Sequence, residues 1–181
     1  MARLPYLSRD DLPPEHQDVV ARDITLNRVM ANSPGAARAF TDLGMYIRYR
    51  SRLDPRLRQL AIMQVGWVAR SPYEWSHHVR IGMDFGCTDA DIRAVAVESA
   101  GGASALEPLA KLVLRAAREM HAGPGMSRET FDALRPHLDN ECLTDLTVTI
   151  AYYCGVVRLL ATLEVDVEPD YLPFLQEYPL P

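Results

Sequence analysis

Cysteine is scarce in this 181-residue chain: Cys87, Cys142 and Cys154 are the only three. The number is odd and no pair has C-x-x-C spacing, so neither a disulfide framework nor a cysteine zinc site is expected. Basic charge is not in excess either. Lys plus Arg number 19 against 24 Asp plus Glu, a formal charge of -5. General nucleic-acid binding, which needs a basic stripe to displace counterions from phosphates, is therefore not expected. The local run Arg48, Arg50, Arg52, Arg56 and Arg58 reads as a solvated helix face. No apolar segment near the N-terminus looks like a leader, and no run approaches the ~20 apolar residues of a membrane span, so a cytoplasmic protein without membrane association is the expectation. Internal repeats and low-complexity segments are also lacking.

What is present is an ordinary globular composition, with 48% hydrophobic and 24% charged residues. At this length one domain over residues 1–181 is expected, and its core needs no structural metal. Apolar residues recur at helical spacing and the punctuation between segments consists of helix caps, which predicts an all-α fold. Ser33-Pro34, Asp54-Pro55 and Ser71-Pro72 each place a capping residue before a proline at the first helical position. The helices that follow are expected to run to about Ser51, through Val68, and to Phe85 with Gly86 as a left-handed stop. Leu57, Leu60, Ala61, Gln64, Val65 and Val68 mark the apolar face of the second of these. Thr88 with Asp91 opens another helix, Pro108 begins a long amphipathic one, and Ser127 starts a short one ending at Leu134. Asn140 is expected to cap a last long helix to about Leu163, apolar around most of its girth and so destined for a core or an interface. The N-terminal arm and the Pro-rich tail, 165–181, are expected to be extended, the tail lying on a neighbouring surface.

Reactive side chains concentrate in S-P-Y-E-W-S-H-H, Ser71 to His78. On a helix Glu74 and His78 are i, i+4 neighbours, and Glu74 and His77 are i, i+3 neighbours. A carboxylate beside an imidazole orients it and fixes its tautomer, as general acid catalysis near neutral pH requires. The same spacing also suits a plain surface pair. Glu74-x-x-His77 is moreover the E-x-x-H spacing of di-iron bundles, but that design needs the motif twice and this chain has it once.

The sequence resembles the carboxymuconolactone decarboxylase family, which includes alkylhydroperoxidase D, over residues ~25 to 165. The resemblance is carried by L-D-P-R-L-R-Q-L-A-I (Leu53 to Ile62), Y-E-W-S-H-H (Tyr73 to His78), the helix start Gly86 to Ile92, and I-A-Y-Y-C-G-V-V-R-L-L (Ile150 to Leu160). It implies an alkylhydroperoxidase D-like helical bundle assembled as a homo-oligomer, a trimer or hexamer. In the peroxidase branch a glutamate precedes a C-x-x-C-x-x-x-H run; the corresponding positions here are Gln59, Ser71, Glu74 and His78. A thiol peroxidase is accordingly not expected, because Ser71 cannot pass through a thiolate cycle.

What the resemblance implies instead is a cofactor-free, metal-free lyase of the decarboxylase type. It would act on a small unsaturated lactone or carbonyl acid, in a setting such as aromatic catabolism. His78 is then the proton donor, Glu74 its orienting partner and His77 a second donor. Gln59 and Ser71 are placed at the substrate, with Tyr73 and Trp75 as an apolar wall and Arg158 as a fork for a carboxylate. Two other readings remain open: a helical binding or scaffold protein without chemistry, and a metal-dependent enzyme using Glu74 and His77.

Overall fold

A computed structural model describes residues 2–181, and among these no strand occurs. Nine α-helices follow in order: α1 (Thr25–Met30), α2 (Pro34–Tyr49), α3 (Pro55–Val68), α4 (Pro72–Asp84), α5 (Asp89–Ser99), α6 (Pro108–Ala122), α7 (Arg128–Leu134), α8 (Asn140–Leu163) and α9 (Leu172–Glu177). Short 3-10 turns occupy Arg9–Asp11, Pro14–Val20 and Pro169–Tyr171. The all-α expectation holds.

The cap signatures read from the sequence act as caps at most of their positions. The Asp54 carboxylate accepts from Leu57 N at 2.9 Å, and Thr88 and Asp91 close a reciprocal capping box. Ser33 precedes α2 without making a side-chain cap bond. At α8 the cap is Asp139, which accepts from Cys142 N at 2.8 Å, and Asn140 is the first helical residue rather than the cap. Gly86 takes φ 90°, as a left-handed stop requires.

Helix α3 is the axis of the bundle. It packs against α4, α5, α6 and α8, and every residue from Leu57 to Gly66 is buried. The expected single apolar face is thus a helix enclosed all round, with Arg58, Gln59 and Gln64 carried into the interior. Arg58 does not belong to a solvated face. Its guanidinium donates to Leu53 O at 3.2 Å and lies 5.3 Å from the Phe85 ring centre. Gly66 lets α3 approach α4 closely, since a Cβ there would stand 3.2 Å from Trp75 N.

By length and composition α8 is also apolar enough to cross a membrane, which the sequence reading did not anticipate. Its Leu143, Leu146, Ile150, Tyr153, Val157 and Leu160 face the core that α3 and α6 complete.

The C-terminal segment is not an extended tail on a neighbouring surface. It forms a 3-10 turn and α9, and packs back on α4 of the same chain. Trp75 Nε1 donates to Tyr178 O at 2.7 Å and holds it there.

Candidate active site

Proline at the first turn of α4 and the Ser71 cap start a helix whose first two turns are buried from Tyr73 to Val79. Ser71 Oγ accepts from Glu74 N at 3.4 Å, so this side chain is occupied by the helix end and does not line the cavity described below. Glu74 and His78, one turn apart, bring Glu74 Oε1 to 3.0 Å from His78 Nε2, both side chains being nearly fully buried. On the other side of the imidazole, His78 Nδ1 stands 2.7 Å from Gln59 Oε1 of α3.

With the Gln59 oxygen facing the ring, Nδ1 carries a proton and donates it. Nε2 is then the atom that faces Glu74 and can exchange a proton. The contact from Nε2 is short but off the hydrogen-bond axis, and Glu74 Oε1 is left buried without an aligned donor. Burial pushes the His78 pKa down, while the charge of Glu74 opposes the fall. Tyr153 of α8 meets the imidazole edge-on, ring centres 5.0 Å apart.

Glu74 and His78 open on a cavity of about 260 Å³. Tyr73, Ile81, Phe40, Tyr152, Tyr153 and Val156 supply much of its wall, and Arg48 of α2 lines it as well. Tyr152 is fixed by donating to Phe40 O at 3.0 Å, and its hydroxyl occupies space that a Cβ at Gly44 would enter at 2.9 Å.

His77 is differently placed. Its ring is stacked between Tyr73, at 4.1 Å, and Tyr171, at 3.6 Å, and its Nε2 is 2.7 Å from Glu168 Oε2. Glu168 also accepts from Thr25 N at 2.7 Å and from Tyr73 Oη at 3.2 Å. Burial alone would raise the pKa of this carboxyl, yet the bonds from His77 and Thr25 hold it at about 2. His77 therefore anchors the C-terminal segment; its Nε2 is not a second donor to the cavity. The same engagement removes it from a metal pair with Glu74, and among the described residues no group of three or more His, Cys, Asp or Glu is placed to hold a metal ion.

Trp75 is a core residue against Trp67, ring centres 5.1 Å apart, and forms no wall of the cavity. Arg158 is exposed, donates to Cys154 O and lies outside the cavity. Of the expected site, then, Glu74, His78 and Gln59 converge, and Tyr73 and His77 line the space, His77 with its Nε2 turned to Glu168, while Ser71, Trp75 and Arg158 serve elsewhere.

Arg48, Tyr152 and Tyr153 were not foreseen as site residues. The two tyrosines lie in the Ile150 to Leu160 stretch that carries the resemblance, which was the one sequence signal for them.

Residues 34–119 match the model of the carboxymuconolactone decarboxylase family. This stretch, just under half of the chain, supports the resemblance to that family. The matched stretch runs from the start of α2 into α6 and so includes Gln59, Glu74 and His78. Comparison with curated proteins finds no match.

Among solved structures, the chain is similar to an alkylhydroperoxidase AhpD core, an uncharacterised peroxidase-related protein from Ralstonia eutropha JMP134, at 18% identity and TM-score 0.80, with 96% of this chain and 95% of that one covered. It is also similar to an alanine variant of the debrominase Bmp8 in complex with 2,3,4-tribromopyrrole, at 19% identity and TM-score 0.79, with 98% of each chain covered. A putative antioxidant defence protein AhpD from Agrobacterium tumefaciens aligns at 19% identity and TM-score 0.68, covering 77% of this chain and 94% of that one. These likenesses establish the AhpD-like fold.

Proposed function

We propose that this protein is an acid-base lyase of the carboxymuconolactone decarboxylase type that acts, without a cofactor, on a small unsaturated lactone or carbonyl acid. The observation that carries the reading is the buried Glu74–His78–Gln59 chain opening on a concave, solvent-accessible cavity. Breaking the bond between a carboxylate carbon and the conjugated ring releases carbon dioxide and leaves its electron pair as an extended enolate. A proton from His78 Nε2, exchanged with Glu74, is then delivered to the distal carbon. Solvent restores one proton per turnover. Gln59 holds the imidazole in the Nδ1–H tautomer, which leaves Nε2 as the atom that takes up and gives out the proton and makes Gln59 a positioning residue.

A thiol peroxidase is not favoured, because none of the three cysteines lines the cavity. Burial pushes the Cys87 thiol up to about 12 and also raises Cys142 and Cys154. In the debrominase neighbour the same fold holds a small ring compound, so the cavity is read here as a substrate site. Assembly as a homo-oligomer, which the family resemblance implies, is part of the same proposal. Leu43, Met45 and Tyr49 on α2 are exposed large apolar side chains that such an interface would cover. Sedimentation velocity tests it, with a trimer or hexamer expected.

The decisive experiment follows the absorbance of carboxymuconolactone and related lactone acids with the native protein and with His78→Ala. Turnover is expected to fall about 10²- to 10⁴-fold in the variant, the usual contribution of a positioned general acid. Equal rates in the two proteins refute the role of His78. Absence of turnover in both favours the scaffold reading.

A further inference from the structure

Three arginines line the cavity, Arg22, Arg38 and Arg48. Arg38 is neutralised by Asp18, with Nη2 2.6 Å from Oδ1, and Arg22 is exposed at the rim. Arg48 is half-buried, and among the described residues it makes no ion pair with any carboxylate. Its one ring contact is loose, 6.0 Å to the centre of Tyr49. Of the acids in the wall, Asp18 is paired with Arg38 and Glu74 faces His78.

Arg48 also stands by the Tyr153 hydroxyl, where its charge and hydrogen bonding oppose the rise in pKa that burial imposes on that phenol. The same charge acts on His78 and on Tyr152. Arg48 thus lies within electrostatic reach of the proton-carrying imidazole. A guanidinium partly withdrawn from water on a concave wall, without a protein counterion, is a matched receptor for a planar oxyanion.

We propose that Arg48, with the Tyr153 hydroxyl beside it, is the anion subsite of this cavity and selects small organic carboxylates over their uncharged counterparts. The inference rests on the reading of the cavity as the substrate site, and it gives to Arg48 the task that sequence reasoning gave to Arg158. Chemistry restricts how the subsite is used. An ion pair to the carboxylate that departs would stabilise the ground state and slow its loss. The group held at Arg48 is therefore a carboxylate that the reaction retains, and it anchors the substrate while charge develops toward His78.

Isothermal titration calorimetry with crotonate and benzoate, each against its amide, tests this without needing turnover. The native protein is expected to bind the carboxylates at least about 10-fold more tightly than the amides, the scale of one charge-assisted contact. Arg48→Met should abolish that preference and leave amide affinity unchanged, which also reports an intact fold. Arg158→Met should retain the preference in full. The proposal is overturned if the native protein shows no preference at concentrations up to about 10 mM, or if Arg48→Met keeps it. Because His78→Ala turnover is read separately, failure of the subsite and failure of the lyase reading give different results.

Discussion

At the scale of single residues the site depends on a histidine held at both nitrogens in the interior. Gln59→Leu would leave His78 Nδ1 buried without its acceptor, and a loss of roughly 1–3 kcal/mol is expected in urea unfolding. Gln59→Glu is informative in the opposite sense. A second carboxylate on the imidazole favours its charged form, so the pH profile of turnover should move to higher pH; an unmoved profile would mean that His78 does not set it. The native protein carries a related signature in its stability. The folded-state pKa of His78 lies below its ordinary 6.5 because burial disfavours the cation. The unfolded chain therefore takes up the proton first as pH falls. The contribution of His78 is complete above about pH 6.5 and declines as pH drops from there through the folded-state value. In His78→Gln this part of the acid limb should flatten when chemical denaturation is repeated across pH 4 to 8.

At the scale of elements, the C-terminal segment and α4 are fastened by groups of quite different sequence visibility. The Glu168 carboxylate meets His77, Thr25 and Tyr73, and its pKa falls from an ordinary 4.5 to about 2. A carboxyl lowered in this way stabilises the fold fully above about pH 4.5 and loses that contribution as pH falls toward 2, an effect on the order of 2 kcal/mol. Because Trp75 donates to Tyr178 O in the same segment, tryptophan fluorescence should change over that acid window in the native protein and not in Glu168→Gln. The turn from α3 into α4 holds a second prediction. Arg70 adopts φ 49° there, a left-handed position without a glycine, and its side chain is exposed. Arg70→Gly should raise stability by up to about 1 kcal/mol, because the steric penalty on a Cβ in that conformation disappears. A lower melting temperature in the variant would show that the arginine side chain contributes more than its backbone costs.

At the scale of the whole molecule, what the sequence revealed was local and what it hid was tertiary. Asp54-Pro55 and Ser71-Pro72 disclosed the starts of α3 and α4 because caps act on their own helix ends. Helix α1 had no such signal, since Ile24 stands at its cap position and makes no side-chain bond. Pro169 and Pro173 suggested an extended tail, but both fall in first turns, where a missing N–H costs nothing. The Glu74–His78 pair was legible as i, i+4 spacing, whereas Arg48 and Tyr153 reach it only because α2 and α8 converge on α4. That convergence depends on how closely α3 and α4 approach. A Cβ at Gly66 would meet Trp75 N at 3.2 Å and Trp75 Cα at 3.3 Å, both backbone atoms that cannot swing aside. Gly66→Ala must separate the helices that carry Gln59 and His78. It should cost about 1–3 kcal/mol and also reduce turnover, although no cavity residue changes. Gly155→Ala on α8 is the matched comparison, because a Cβ there meets nothing within 4 Å in the single chain. Helix propensity alone then predicts a gain of roughly 0.5–1 kcal/mol. A loss at Gly155 instead would mean that this exposed face of α8 is covered by another copy of the chain, so the same pair of thermal melts reads both the internal packing and the assembly.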